Sequence, residues 1–475
     1  MKGFGKTFVK ASQKKYKMLF SSTEFLFLFL PISLIIYGIL PVGIKNLVLL
    51  LLSLLFYALG DAKFLPLLLL LTLLDFAFGF MVEKTKKEIR RKILLWVAVI
   101  INIAFLGFFK YTNTIATLFG VKAEIALPMG ISFYVFQGLS YVIDVYKRKT
   151  QAERDAIRFG AYITLFPQLV AGPIVKYTDV REELLQKRRF SLERFASGVR
   201  LFFVGLAKKV LIANFAGEVF DRLLKGNITF LGGWTALVFF ALQIYYDFSG
   251  YTDMARGLGR LFGFEFPENF NYPYISKSIT EFWRRWHMTL SSWFREYVYI
   301  PLGGSREGRA KTVRNLFVVW LLTGIWHGAG LGFALWGLYF FLLLVAEKFI
   351  YGEALKKMPS IISHAYALFF ILLGWLIFAS SDMGGEKTLS LLGAIFAGAG
   401  GFYNRQSFYE LMRNIPFLVI SIFGATPLPK IIYQRFIDKK LLLRTSCDLL
   451  GIAVFFVTVA YIIGSGYNPF LYFRF

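Results

Sequence analysis

Long apolar runs alternate along the chain with short interruptions that are basic or rich in glycine and proline. Apolar residues fill 25–40, 47–59, 64–81 and 93–109, and a gentler run covers 125–145. Stretches such as 47–57 and 65–74 are apolar on every face. That excludes the alternating polarity of a membrane β-barrel and predicts helices. Phe166-Pro167-Gln168 and Ala171-Gly172-Pro173 break one apolar stretch twice, and broken backbone at membrane depth is tolerated only under a cover of protein or beside a water-filled cavity. Long helices are expected to resume over 192–224 and 235–258. Others follow at 316–325, 331–346, 365–379, 408–423 and 449–463.

Composition turns this pattern into a class. Of 475 residues, 57% are hydrophobic and 17% charged, where a soluble domain carries roughly 25% charged residues. Disordered chains, collagens and ordinary soluble enzymes are excluded. At roughly 20 residues per crossing, the length predicts an all-α polytopic membrane protein with about ten to twelve transmembrane helices. Broken or re-entrant segments are part of that expectation. Lys2, Lys6, Lys10, Lys14, Lys15 and Lys17 mark 1–17 as a basic N-terminal extension. Residues 18–475 then form a single membrane domain, with no stretch large enough for a soluble one.

The formal charge is +25. Because the basic residues sit between apolar runs, cytoplasmic loops facing anionic lipid explain much of it, and nucleic acid is not implied. A basic mouth for a phosphorylated donor is the sharper alternative. Lys84, Lys86, Lys87, Arg90, Arg91 and Lys92 form one strongly basic turn, expected on the cytoplasmic side. The single cysteine, Cys447, permits no internal disulfide and no thiolate metal site.

Three histidines carry the candidate chemistry. His327 ends an apolar run within Gly324-Ile325-Trp326-His327-Gly328. A titratable imidazole at membrane depth marks a pathway or a site by default, the bland alternative being a core histidine bonded to a carbonyl. Glycines beside it let another backbone or a narrow substrate come close. His287 lies where Trp283, Trp286, Leu290, Trp293 and Tyr297 recur at helical spacing. Arg284, His287, Ser291 and Arg295 fall on a second face, which reads as an amphipathic helix lying at the interface with its tryptophans in lipid. His364 opens a helix and suggests no chemistry. Asp75, Asp144, Asp247 and Asp253 lie in apolar segments. Proton or ion handling, or bonded pairs with lysine or tyrosine, are both open for them. No set of residues has metal-ligand spacing, and no phosphate-cradling glycine loop occurs.

Longer motifs carry a resemblance. Phe282-Trp283-Arg284-Arg285-Trp286-His287-Met288-Thr289-Leu290-Ser291, Tyr299-Ile300-Pro301-Leu302-Gly303-Gly304-Ser305 and Gly324-Ile325-Trp326-His327-Gly328 resemble the membrane-bound O-acyltransferase superfamily. More narrowly, they resemble its bacterial alginate O-acetyltransferase branch. Phe166 to Ile174, Tyr246-Asp247-Phe248-Ser249-Gly250-Tyr251, Asn269-Phe270-Asn271-Tyr272-Pro273-Tyr274 and the ending from Asn468 to Phe475 are similar too. The resemblance implies a central tunnel or funnel, with His327 and His287 as catalytic residues. Trp326, Asp247, Trp283, Arg284 and Arg285 become candidates for lining the tunnel or binding substrate.

The activity this implies takes an acetyl group from acetyl-CoA, or another cytoplasmic acetyl thioester, and delivers it across the bacterial inner membrane. An exported polysaccharide, such as alginate or peptidoglycan, is the final acceptor. Such a polymer is too bulky to thread among these helices, so an extracytoplasmic esterase-like partner is expected to complete its acetylation. A single imidazole serves both sides only near mid-membrane, in a passage reached from each. The alternatives are D-alanyl transfer to teichoic acid by the same architecture and a proton-coupled transporter.

Overall fold

The computed structural model describes residues 18–464; the basic extension and the closing motif from Asn468 lie outside the described residues. Every regular element among those described is helical, and the chain is an all-α, multi-pass membrane protein. Among the described residues, five helices are long and apolar enough to cross a bilayer: Val42–Lys84, Glu88–Leu118, Leu331–Lys357, Ser360–Met383 and Leu441–Gly464. Ile415–Gly424 with Leu428–Ile437, bent by 65°, makes a sixth if the pair is one span. The first of these holds two α-helical stretches, Lys45–Asp61 and Leu65–Lys84, joined by a single 3-10 turn. Other apolar runs that counted towards ten to twelve crossings form shorter helices, such as Phe25–Ile39 and Ile131–Tyr146.

The chain divides into two compact units. One comprises the described chain up to Leu206, Tyr251–Glu268 and the last helix from Val459. In it Leu65–Lys84, Glu88–Leu118 and Ile131–Tyr146 pack on one another, and Lys45–Asp61 packs on Ala156–Thr164. Asn102 Nδ2 donates to Asp75 Oδ1 at 2.7 Å. A Cβ at Gly138 would overlap the other Asp75 oxygen, so glycine lets the third helix close over this polar pair. Arg91 is buried. It donates to the Val82 and Tyr146 carbonyls at 3.2 and 2.7 Å, so one member of the basic turn closes two helix ends instead of facing headgroups.

The doubly broken stretch lies in the same unit. Phe166–Leu169 is one short helical turn, and 161–175 are buried throughout. Ser53 Oγ accepts from the Phe166 N–H at 3.1 Å, Gln168 Nε2 donates to the Tyr162 carbonyl at 2.6 Å, and Tyr162 Oη donates to Val175 at 3.1 Å. Protein side chains supply the partners that lipid could not.

The second unit comprises Ala207–Gly250 and Asn269–Thr458. Arg309–His327 packs on Leu331–Ala346, which packs on Ser360–Met383. Glycines set the first contact. A Cβ at Gly324 would fall on the Phe333 carbonyl, and one at Gly337 on the Trp320 carbonyl. Here the glycine before His327 admits a neighbouring backbone, and a Cβ at Gly328 would meet the Phe333 ring.

The amphipathic interfacial helix expected around His287 is not formed. Ile279–Arg285 and Met288–Phe294 are separate helices, followed by a π-helical turn over Arg295–Tyr299. Trp283, Trp286 and Trp293 are buried in protein rather than set in lipid. The expected helix over 408–423 is likewise two, Arg405–Arg413 and Ile415–Gly424.

Candidate active site

The break at His287 is built by a segment that precedes it in the chain. Asn271 N–H donates to the Arg285 carbonyl, and Met288 N–H to the Asn269 carbonyl, each at 2.9 Å. Between these two bonds the chain turns through His287, whose φ of 43° and ψ of 55° are left-handed. That region is uncommon for a residue with a Cβ. The preceding helix is held at its start. Ser278 Oγ accepts from the Glu281 N–H at 2.9 Å, and the buried Glu347 carboxylate accepts from Ile279 N–H and Thr280 N–H at 2.6 and 2.8 Å.

His287 is 1% exposed. Its Nδ1 lies 3.0 Å from Asn269 Oδ1, which also accepts from Thr289 N–H at 3.2 Å and from Thr289 Oγ1 at 2.9 Å. The Phe248 ring stands edge-on to the imidazole at 4.7 Å, and the Trp326 ring lies at 6.1 Å.

His327 is the last residue of Arg309–His327, and the chain leaves it through extended backbone at Gly328. Its buried imidazole meets the rings of Trp326, Trp336 and Phe378 at 5.0, 5.1 and 5.4 Å. The Trp326 ring thus lies near both histidines. Trp336 connects His327 to Trp283, at 5.4 Å, and Trp283 meets Trp320 at 4.7 Å. Among the described residues, His287 Nε2 and the indole N–H groups of Trp283 and Trp336 are buried without a hydrogen-bond partner. Buried polar atoms left so are costly and call for an explanation. An aromatic cluster with a few unused polar groups has the composition of a site for a small polar acyl group.

Exposed Arg306, Arg309, Lys311 and Arg314 stand at or just before the start of the His327 helix. From Arg314 to His327 the helix rises about 20 Å at 1.5 Å per residue, two-thirds of a core of about 30 Å.

The remaining sequence candidates have other surroundings. Asp247 Oδ1 is 2.6 Å from Lys209 Nζ, with both side chains buried; of the two readings open for it, the bonded pair is the one observed. Arg285 is tied to Glu281 at 2.9 Å and to the Asn271 carbonyl at 3.1 Å, whereas Arg284 is exposed. His364 Nδ1 lies 3.1 Å from the Ser276 carbonyl. Sequence reasoning did not single out Asn269, Glu347, Trp336 or Phe378. Only Asn269 carried a signal, its place in the Asn269-Phe270-Asn271-Tyr272-Pro273-Tyr274 motif.

Residues 49–379 match the model of the MBOAT, membrane-bound O-acyltransferase family. A probable alginate O-acetylase of Pseudomonas putida is 37% identical, covering 96% of this chain and 100% of its own. A peptidoglycan O-acetyltransferase of Helicobacter pylori is 32% identical over 97% of this chain and 98% of its own. A teichoic acid D-alanyltransferase of Bacillus subtilis is 28% identical over 53% of this chain and 68% of its own. With a matched model spanning both histidines and relatives aligned nearly end to end, the chain belongs to the membrane-bound O-acyltransferase family and is an acyltransferase.

Proposed function

We propose that this enzyme moves an acetyl group from a cytoplasmic thioester, acetyl-CoA or another, through the bacterial inner membrane for O-acetylation of an exported polysaccharide. The observation that carries the reading is the pair of buried imidazoles, His287 and His327, both near the indole of Trp326. Neutral His327 takes the proton of an acceptor hydroxyl as its oxygen attacks the thioester carbonyl. The C–O bond forms, the C–S bond breaks, and the thiolate leaves with the proton returned from the imidazolium. Such acid–base help is worth about 10²–10⁴ in rate. His287 polarises or orients a reactant, and the aromatic rings exclude water that would hydrolyse the acyl group.

The donor's phosphates stay on the cytoplasmic side, where exposed Arg284 and the basic start of the His327 helix suit them. The polymer stays outside, and an extracytoplasmic esterase-like partner passes the acetyl group on. Printed names of the two relatives covered almost end to end, an alginate O-acetylase and a peptidoglycan O-acetyltransferase, support acetyl over D-alanyl.

The test is His327→Gln, which keeps polarity and rough volume but accepts no proton near pH 7. At matched membrane levels, base-releasable acetate on the exported polysaccharide should disappear. Wild-type acetate from the variant overturns the assignment of His327. Released alanine in place of acetate from the wild type overturns the choice of acyl group.

A further inference from the structure

We infer that Asn269 is the positioning residue that fixes the proton of His287 on Nδ1, so that Nε2 is a buried acceptor left for a donor group of a reactant, distinct from the hydroxyl proton that His327 takes. The argument begins with the amide, whose oxygen and nitrogen have opposite roles. Thr289 N–H is a backbone group that only donates, and it lies 3.2 Å from the Asn269 side-chain atom assigned as Oδ1. That atom must therefore be the oxygen. The same oxygen lies 3.0 Å from His287 Nδ1. An amide oxygen has no proton to give, so Nδ1 carries the hydrogen and Nε2 carries the lone pair.

Nε2 is also the atom left without a partner among the described residues, inside a side chain that is 1% exposed. Two further observations make this arrangement deliberate. Asn269 grips the site twice, its backbone carbonyl accepting from Met288 N–H at 2.9 Å and its side chain from Thr289. His287 itself is held at a φ of 43°, a conformation that persists only where the surroundings over-determine it. Capping the helix Met288–Phe294 accounts for the bonds to Met288 and Thr289. It accounts neither for a histidine at the turn nor for the bare nitrogen.

That Nε2 receives a reactant rests on the acyl-transfer reading above; the position of the proton does not. Imidazole protonated on one nitrogen by a fixed acceptor, with the other left for a reacting group, is how a histidine is held in one orientation and one tautomer.

The chain has only three histidines, which makes a direct test practical. The full-length protein is prepared in proteoliposomes with ring-15N histidine and examined by solid-state NMR, the signal missing in His287→Gln being that of His287. The expected result is an Nδ1–H tautomer in the wild type, retained in Asn269→Asp, whose carboxylate also accepts, and lost towards Nε2–H in Asn269→Ala. An Nε2–H signal in the wild type, or an unchanged tautomer in Asn269→Ala, overturns the assignment whatever the enzyme's donor proves to be.

Acyl transfer from acetyl-CoA in the same vesicles tests the use of the tautomer. Asn269→Ala should lose on the order of 10-fold or more in kcat with KM little changed, and Asn269→Asp should recover most of it. A displaced tautomer with an undiminished kcat overturns the catalytic use of Nε2. Absence of wild-type transfer defeats the proposed function instead and leaves the tautomer result standing.

Discussion

Glu347 holds Thr280 twice: its Oε2 accepts from the Thr280 backbone N–H at 2.8 Å and from the Thr280 hydroxyl at 2.6 Å. Its Oε1 takes the Ile279 N–H at 2.6 Å and the Tyr366 hydroxyl at 3.1 Å. A carboxylate from within the span Leu331–Lys357 thereby caps the short helix that leads into His287. Bonds to a charged acceptor contribute about 1.5–3 kcal/mol each. Glu347→Ala should cost about 3 kcal/mol or more and lower activity by letting that helix drift. Heat challenge followed by size-exclusion of the detergent-solubilised protein measures the first effect, and acyl transfer the second. A fully stable variant would show that Tyr366 and solvent replace the cap.

The Lys209–Asp247 pair lies in the same unit as the histidines, and Lys209 also donates to Asn214 Oδ1 at 3.0 Å. Removing one member strands the other, which typically costs about 3–5 kcal/mol, whereas removing both is often tolerated. Lys209→Met alone should therefore be severely destabilised, and Lys209→Met with Asp247→Leu should recover most of the lost heat stability. If the double variant is stable and keeps its acyl transfer, the pair is architectural. A stable but inactive double variant would return Asp247 to the reaction.

Acid should loosen the first unit through Glu153. Burial by itself would raise this carboxyl. The Tyr177 hydroxyl at 2.6 Å, the Asp155 and Arg154 N–H groups and the Arg158 guanidinium outweigh it and hold Glu153 below the usual range. A carboxylate with a depressed folded pKa stabilises fully above its unfolded value, near 4.3. That stabilisation is lost as pH falls through the lower folded value. Heat stability should thus decline below about pH 4.3, and Glu153→Gln should flatten that limb at the expense of stability near neutrality. An identical acid limb in the variant would place the sensitivity elsewhere.

Much of this architecture was legible in the hydrophobic pattern, because span-length helices depend chiefly on continuous apolarity. Leu331–Ala346 has the bounds that its run predicted, and His327 ends its helix where Gly328 interrupts the pattern. The break at His287 was not legible. Spacings of three and four run straight through Trp283, Trp286 and Leu290, so periodicity alone asks for one helix. What overrides it is Asn269, eighteen positions earlier, whose groups take the amides of the second helix. The aromatic surroundings of His327 come from Trp336 and Phe378 on two later helices, a meeting that no local motif records.

Six of the nine tryptophans of the chain belong to this one cluster. Trp283, Trp320, Trp336, Trp375 and Trp286 are joined by successive ring contacts of 4.7–6.4 Å, and Trp326 joins through His327. Indoles at such spacings share excitation energy, and an imidazole that gains a proton quenches the indole it touches. Most indoles of the chain therefore report on its candidate active site. An acyl donor arriving at these rings, or a proton arriving on His327, should be visible in unlabelled protein as a change of intrinsic fluorescence, over the steady emission of Trp96, Trp234 and Trp293.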